Sequence, residues 1–273
     1  MQDALGAAAR VPDFRRALRL HLVESSKTLR AAQRKRLGDA KIAWHDDLGS
    51  VPEGPMIAIA NEFLDALPIV QLERGAAGWH ERLVTLAADG ETLVLARAAA
   101  PSALAALVPP ELQRSAPGSI FEGRPAAAAL AAELGRRLAT APGAALCIDY
   151  GHAQKACGDT LQAVRRHRPC GIFDEPGAAD LTAHVDFASF AEAARAAGAH
   201  THGPVTQRDF LRRLGIEARM AQLLARAAPE QRETIATAVR RLIDPAEMGT
   251  LFKVLALTSA GLPAPDGFSE QVP

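Results

Sequence analysis

The amino-acid sequence predicts an α/β protein built on a doubly wound, mainly parallel sheet. Two runs, residues 56–60 and 144–152, are apolar on both faces, which is typical of central parallel strands. Near the N-terminus strands alternate with helices, and each strand there ends in an acidic residue. Hairpin signals between residues 69 and 97 predict an antiparallel insertion into this α/β pattern.

Helices open the chain, and a β-α-β unit follows them. The predicted elements are helices 2–9 and 12–18, a strand at 19–24, a helix at 26–37 and a strand at 41–45. Ser25 or Ser26 can cap the third helix by accepting a hydrogen bond from a free backbone N–H. The strands end at Glu24 and at the pair Asp46 and Asp47, as the alternation of a parallel sheet requires.

The stretch MIAIANEFLDALP, residues 56–68, organises the rest of the chain. Its buried strand stops at Asn61 and Glu62, and a short helical turn then carries Asp65 and ends at Pro68. Polar groups at the carboxyl end of such a strand face the crevice in which open α/β sheets hold ligands. We therefore expect the chemistry of the protein at this point.

The remaining elements complete the predicted sheet and its insertion. An antiparallel meander covers residues 69–97, a Pro-rich linker follows, and Pro142 and Gly143 stop a long helix. The second central strand ends in the polar residues Asp149, Tyr150 and His152. The later predicted elements are a strand at 160–165, helices at 187–198, 206–214, 216–228 and 229–243, and a last strand within 249–260.

These elements divide the chain into four predicted parts. They are an N-terminal part of the α/β domain at 1–68, a β-meander and linker insertion at 69–125, a C-terminal part of the same domain with helical additions at 126–261, and a flexible tail at 262–273.

Composition restricts the kind of partner that the protein can have. The 273 residues carry a formal net charge of zero, so no electrostatic footprint for nucleic acid or a membrane surface is present. Three cysteines are an odd number, and their spacing fits no zinc template, so we expect reduced thiols and no metal. No apolar run reaches the length of a membrane span, and a cytoplasmic location is the expectation.

Four segments carry a resemblance to a known family. They are ANEFLDALP at 60–68, IDYGH at 148–152, DLTAHVDF at 180–187 and GTLFKVLAL at 249–257. Together they resemble the class I S-adenosylmethionine-dependent methyltransferases of the group that includes MidA and the mitochondrial arginine methyltransferase of respiratory complex I assembly. The resemblance follows the family's order over nearly the whole chain and implies a Rossmann-like fold.

The resemblance also implies a cofactor, a reaction and residue roles. The cofactor is S-adenosyl-L-methionine, with Glu24 at the ribose and Asp46 or Asp47 near the adenine. The reaction is protein arginine N-methylation, with a protein substrate, and a respiratory complex subunit is the partner that the family suggests. One departure is that the family's Gly-rich loop and the strand before it have no counterpart. We therefore expect a truncated family member with impaired cofactor binding.

Carboxylates suit an arginine acceptor because its guanidinium stays protonated and binds carboxylate oxygens in a fork. Glu62 and Asp65 are three residues apart, which places them on one face of a helical turn, and with Asn61 they form our hypothetical catalytic, acceptor-side group. Asp149, Tyr150 and His152 are the hypothetical substrate-binding residues.

Structural roles remain as alternatives for these residues. Asp46, Asp47 and Asp65 can be caps or turn residues, Glu24 can cap the helix after it, and Asp149 and Tyr150 can satisfy backbone groups at the strand end. The corresponding alternative for the whole chain is a catalytically inactive remnant that acts as a protein-binding or assembly module. A dinucleotide oxidoreductase is disfavoured because no G-x-G-x-x-G motif is present.

Overall fold

The computed structural model describes residues 1–38, 41–166 and 168–268, and the chain divides into two compact units after Gly54. The first unit contains a parallel strand pair and three helices: α1 (Gln2–Ala8), α2 (Pro12–Ala17), β1 (Leu20–Val23), α3 (Lys27–Leu37) and β2 (Ile42–His45). The Ser26 hydroxyl caps α3 by accepting a hydrogen bond from the Leu29 N–H at 3.3 Å. None of the described residues among 1–54 is buried.

The second unit is built on a mixed sheet with β8 (Gly143–His152) at its centre. β3 (Met56–Asn61) pairs with β8 in parallel, and β14 (Phe252–Thr258) pairs with it antiparallel on the other side. β13 (His200–Thr206) adds to β14, and the short β12 (Val185–Asp186) pairs with the end of β8 in parallel. Cys147 on β8 is 1% exposed, so β8 is the buried middle of the sheet.

One face of β3 differs from the prediction of a strand buried on both sides. Ile57 and Ile59 are 70% and 55% exposed, whereas the alternate residues Met56, Ala58 and Ala60 are half-buried. Among the described residues β3 has a strand partner only at the edge that faces β8. The apolar run therefore located the strand correctly but overstated its burial.

Two helices pack closely against each other over this sheet. α4 (Pro125–Thr140) buries Ala127, Ala131, Leu134 and Leu138, and α5 (Phe187–Ala196) buries Phe187, Phe190, Ala191 and Ala194. Gly135 permits the close approach, because a Cβ at this position would lie 2.4 Å from the Ala194 carbonyl oxygen. Asp186 caps α5 by accepting the Ser189 N–H at 3.0 Å.

The predicted antiparallel meander forms a separate sheet. Its strands are β4 (Val70–Arg74), β5 (Trp79–Leu86), β6 (Leu93–Arg97) and β7 (Ile120–Gly123), in the order β6-β5-β4-β7. Leu72, Trp79, Val108 and Phe121 form its buried core. The sequence did not predict β7, and the preceding linker contains two short 3-10 helices, Ala103–Leu107 and Pro110–Leu112.

The remaining elements lie between β8 and β14 in the chain. They are β9 (Gln162–Arg165), β10 (Arg168–Cys170), β11 (Asp180–Thr182), α6 (Gln207–Arg213), α7 (Ile216–Leu224), α8 (Pro229–Ile243) and α9 (Met248–Leu251). Within the predicted tail, the Phe268 ring lies 5.3 Å from the Phe210 ring, and residues 269–273 fall outside the described residues. Across the described ranges, no helix combines the length and apolar character needed to cross a membrane.

Candidate functional site

A buried carboxylate holds the turn that follows β3. Oδ2 of Asp149, a residue with no exposed surface, accepts hydrogen bonds from three successive backbone N–H groups, those of Phe63 at 3.1 Å, Leu64 at 2.9 Å and Asp65 at 3.1 Å. Successive N–H groups that converge in this way form a concave anion site. Residues 64–67 form the predicted short turn, closed by the Leu67 N–H to the Leu64 carbonyl oxygen at 3.2 Å, and Asp149 accepts the free N–H groups at its start.

Glu62 precedes this turn in an unusual backbone conformation. Its φ is 47°, in the left-handed region that residues other than glycine and asparagine rarely adopt, while its N–H still donates to the Ile148 carbonyl oxygen at 2.9 Å. Asn61 and Glu62 are both exposed. Strained backbone of this kind concentrates at functional sites, where the surrounding structure holds it in place.

Asp65 is buried and presents its two carboxylate oxygens differently. The Tyr150 hydroxyl donates to Oδ2 at 2.5 Å, whereas Oδ1 has no hydrogen-bond partner in the described part of the chain. The Tyr150 ring is fixed by edge-on contacts with His184 and Phe252, at centroid distances of 5.7 and 5.5 Å. Asp65 is 6% exposed, and an unpaired carboxylate oxygen at this depth is costly unless a ligand completes it.

Arg124 is the functional candidate that sequence reasoning missed. Its Nη2 donates to the carbonyl oxygens of Asp65 at 3.2 Å and Ala183 at 3.0 Å. Its Nε and Nη1 are buried, and no described residue accepts a hydrogen bond from them. A sequence signal existed, since Arg124 precedes Pro125 at the start of α4, where the helix dipole disfavours a cation.

Burial perturbs the ionisable groups of this cluster. It raises the pKa of Asp149 to about 7, and the nearby Asp65 carboxylate acts in the same direction. Burial and the hydrogen bond to Asp65 raise the pKa of Tyr150, and burial lowers the pKa of Arg124 against the attraction of Asp149 and Asp65. Perturbed groups that surround a partly unpaired carboxylate are typical of functional sites.

His152 lies at the end of β8, beyond Tyr150. Its Nδ1 is 2.5 Å from the Gln154 carbonyl oxygen. The pKa of the neighbouring His184 is lowered by burial and then by the proximity of His152. His152 therefore belongs to the neighbourhood of Tyr150, while its recorded hydrogen bond is local.

The candidate cofactor residues lie in the first compact unit. Glu24 follows β1, and its carboxylate accepts the Ser26 N–H at 2.9 Å and the Gln33 side-chain amide at 3.1 Å. Arg30 bridges the two strand ends, because it donates to the Glu24 carbonyl oxygen and to Asp46 Oδ1. Asp47 accepts the Ser50 N–H at 2.8 Å, a hydrogen bond within the turn that follows β2.

The structure thus brings the predicted residues together in two groups. Asn61, Glu62, Asp65, Asp149 and Tyr150 form one cluster in the second unit, with Arg124 added. Glu24, Asp46 and Asp47 form another at the carboxyl ends of β1 and β2 in the first unit. The roles assigned to these residues stay predictions.

The sequence matches a described protein family over most of its length. Residues 1–205 match the family described as "Putative S-adenosyl-L-methionine-dependent methyltransferase". The chain is 39% identical over 225 residues to the protein named protein arginine methyltransferase NDUFAF7 homolog, mitochondrial, of Drosophila melanogaster, covering 80% of this chain and 50% of that protein. The NDUFAF7 protein of Mus musculus is 33% identical over 267 residues, covering 88% of this chain and 59% of that protein.

A solved structure shares the fold. A protein of Burkholderia thailandensis, crystallised with bound S-adenosyl-homocysteine, matches with a TM-score of 0.79 and 32% identity, over 97% of this chain and 70% of that one. The chain spans between half and three fifths of the length of the two curated relatives above.

Proposed function

Because this chain belongs to the S-adenosyl-L-methionine-dependent methyltransferase family that its residues 1–205 match, we propose that it is a methyltransferase that acts on protein arginine side chains. The names of its relatives as protein arginine methyltransferases support this acceptor. This chain covers 50% and 59% of those two relatives, so arginine methylation is a proposal for this chain and is not carried over from them as a fact.

The observation that carries the proposal is the state of Asp65. It is a buried carboxylate with one oxygen held by Tyr150 and the other without a partner among the described residues, three residues after the exposed Glu62. A guanidinium has five N–H donors in a fixed planar fork, so it can supply the donor that Asp65 Oδ1 lacks and reach a second carboxylate. Asn61 offers an amide oxygen at the same strand end.

The residues present also fit the cofactor of the family. Each oxygen of the Glu24 carboxylate accepts one recorded hydrogen bond, and a carboxylate oxygen can accept a second. Two neighbouring ribose hydroxyls are suitable donors for that remaining capacity. S-adenosyl-L-methionine supplies a methyl group activated by a positively charged sulfur.

The task of the protein residues is positioning and charge stabilisation. A methyl transfer is one in-line displacement, and its rate depends on holding the nucleophile at the correct distance and angle. Glu62 and Asp65 would bind the guanidinium and hold its reacting nitrogen in place, and the exposed Glu62 carboxylate would accept the proton that this nitrogen loses when its bond to the methyl carbon forms and the bond from that carbon to sulfur breaks. Tyr150 would fix the orientation of Asp65, and Asp149 would fix the backbone that carries both carboxylates.

Substitution of Glu62 tests the proposal. In a version of the protein that shows transfer, Glu62→Gln should abolish methylation of an arginine-containing protein acceptor while the affinity for S-adenosyl-L-methionine, measured by calorimetry, stays unchanged. Glu24→Gln should give the reverse pattern and weaken cofactor binding. Glu230→Gln, an exposed position on α8, is the matched control and should change neither quantity.

Other results would assign a different role. Loss of cofactor affinity in Glu62→Gln would move Glu62 to the cofactor side. Retention of transfer in that variant would remove Glu62 from the acceptor group. A chain that binds no S-adenosyl-L-methionine but still captures a protein partner would support the alternative of an inactive assembly module.

The proposal extends to the acceptor protein and to the location in the cell. A subunit of a respiratory complex is our proposed acceptor protein, and methylation of purified complexes followed by mass spectrometry would test it. A cytoplasmic location stays our proposal, which fractionation of the source cells would test, although the curated relatives named above are described as mitochondrial.

A further inference from the structure

The hairpin of β5 and β6 carries exposed apolar side chains on both of its faces. Leu83, Val84 and Leu86 are 48%, 57% and 53% exposed. The register places Val84 opposite Leu95 and Leu86 opposite Leu93 on one face. Leu83, opposite Ala96, and Val94, opposite Thr85, lie on the other face. We call residues 83–86 and 93–96 the apolar ribbon. Contiguous exposed apolar surface of this kind marks an interaction site more often than a free surface.

The outer edge of this ribbon is an unpaired strand in the described part of the chain. β6 ends the sheet order β6-β5-β4-β7. The Ala98 N–H donates to the Glu81 carbonyl oxygen at 2.8 Å, and the Thr92 carbonyl oxygen accepts from the Ala87 N–H at 2.8 Å. The even-numbered residues of β6 therefore direct their backbone N–H and C=O groups at β5. The backbone groups of Leu93, Leu95 and Arg97 therefore point outwards. Such an edge is a template for another strand.

We propose that the protein forms a symmetric dimer in which β6 pairs antiparallel with β6 of a second copy, about a twofold axis at Val94. Pairing across the outer edge must join odd-numbered residues to odd-numbered residues, because only these direct N–H and C=O groups outwards. An axis at Val94 meets this condition, since it places Leu93 opposite Leu95 of the second copy. A twofold interface of this kind uses the same surface on both subunits.

Charge complementarity selects this register over its neighbours. With the axis at Val94, continuing the pairing two residues beyond the start of β6 would place Glu91 opposite Arg97 of the second copy, and the pair would occur twice. An axis at Leu95 would instead place Glu91 opposite Ala99 and Arg97 opposite Leu93 of the second copy, which removes both ion pairs. An axis at Leu93 would place Arg97 opposite Asp89, whose carboxylate already accepts hydrogen bonds from Glu91 and Thr92 within its own hairpin turn. Arg97 also pairs with Glu73 in its own chain at 3.0 Å, so its charge would lie between two carboxylates.

The dimer would also cover the apolar ribbon. On one face Val84, Leu86, Leu93 and Leu95 of both copies would form a continuous apolar stripe across the joined sheets. Opposite apolar side chains on adjacent strands stabilise a sheet by roughly 0.2–1 kcal/mol per pair. A second copy therefore supplies both the missing backbone partner and an apolar neighbour for the ribbon.

Disulfide trapping tests the axis directly. In the full chain with Cys157→Ser and Cys170→Ser, a Val94→Cys variant should form a disulfide-linked dimer in oxidised glutathione. Val94 and its copy would form a non-hydrogen-bonded pair with Cα atoms about 4.5 Å apart, within the range that a disulfide spans. Ala96→Cys is the matched control on the same face, because its copies would be displaced by about 13 Å along the strands and should not link.

Light scattering coupled to size-exclusion chromatography provides the second measurement. The unmodified chain should be a dimer, Glu91→Arg and Arg97→Glu should each shift it towards monomer, and an equimolar mixture of these two variants should restore a dimer. Circular dichroism verifies that each variant is folded. A monomeric unmodified chain, or linkage of Ala96→Cys as fast as that of Val94→Cys, would overturn the proposal. A monomer that binds an extended foreign peptide at β6 would also overturn it.

Discussion

Glu62 follows β3 with a positive φ of 47°, a backbone conformation that glutamate rarely adopts. A left-handed conformation costs an ordinary L-residue about 1 kcal/mol or more, whereas asparagine tolerates it. The backbone conformation at this position is therefore one that glutamate does not favour, and we relate the strain to the proposed role of its carboxylate. The position links a local backbone strain to the proposed acceptor group.

Replacing Glu62 by asparagine should separate stability from function. Glu62→Asn should raise the free energy of unfolding by about 0.5–1 kcal/mol, because asparagine adopts the left-handed region more readily. Urea unfolding at constant pH measures this change. Glu230→Asn is the matched control, and it should lower stability slightly because asparagine is a poorer helix former in α8. A loss of stability in Glu62→Asn would show that the glutamate side chain contributes to the fold itself.

Asp149 should make the stability of the protein depend on pH. Its folded-state pKa is raised from 3.8 to about 7 by burial, so between these values the folded protein binds more protons than the unfolded chain. The stabilising contribution of the neutral form is therefore present below pH 4 and is lost as the pH rises through about 7.

The variant Asp149→Asn should flatten this part of the stability profile, because asparagine does not titrate. Urea unfolding at several pH values between 5 and 8 provides the comparison. An equally steep decline in stability in the variant would show that another group causes it.

At the scale of elements, the contact between α4 and α5 depends on a glycine. Gly135 of α4 lies against the backbone of α5, where an added Cβ would be 2.4 Å from the Ala194 carbonyl oxygen and 2.8 Å from the Ala197 Cβ. Both neighbours are backbone or short side chains, so they cannot rotate away. The helix pair must separate to accept any larger residue.

Substitution of this glycine should reverse the usual effect of helix propensity. Gly to Ala inside a helix ordinarily adds about 1 kcal/mol of stability, yet Gly135→Ala should lower stability by about 1–3 kcal/mol through overpacking. Thermal and urea unfolding measure the change. Ala128→Gly, at an exposed position of the same helix, should follow propensity and lose about 1 kcal/mol. A gain in stability for Gly135→Ala would mean that α4 and α5 move apart easily.

The elements also show which parts of the fold the sequence predicts. Apolar runs located β3, β8 and β14, because burial in a sheet requires apolar side chains. β13 was missed because it contains Gly203 and Pro204, which disfavour strands, and it forms only because the edge of β14 is available. Pairing between distant segments overrides local preference in such cases.

The sequence likewise predicts some residues of the candidate site and misses others. Glu62, Asp65 and Asp149 were singled out because acids at strand ends are visible in the sequence. Arg124 was missed because its partners, Asp65 and Ala183, are each 59 residues away in the chain. The left-handed conformation of Glu62 also depends on the fold, since the strand that receives its N–H begins 81 residues later.

At the scale of the whole molecule, the two compact units differ in burial. Described residues of the first unit are half-buried or exposed, whereas the second unit contains the fully buried residues of β8 and β14. Local stability follows the number of buried apolar contacts around a backbone hydrogen bond.

Hydrogen exchange should therefore divide the chain near Gly54. Amides of β1 and β2 should exchange much faster than those of β8 and β14, because the former open without exposing a buried core. Exchange followed by mass spectrometry on the intact protein measures both sets in one sample, and the amides of β4 in the second sheet serve as an internal reference. Equal protection of β1 and β8 would contradict this prediction.

The rate at which Cys147 can be labelled reports opening of the central sheet. Cys147 lies between Ala60 of β3 and Leu255 of β14, and burial raises the pKa of its thiol to about 12. An alkylating reagent attacks the thiolate, so Cys157 and Cys170, which are partly accessible, react first. Labelling of Cys147 must wait until β8 leaves its neighbours, and the time that this takes reports how often the centre of the molecule opens.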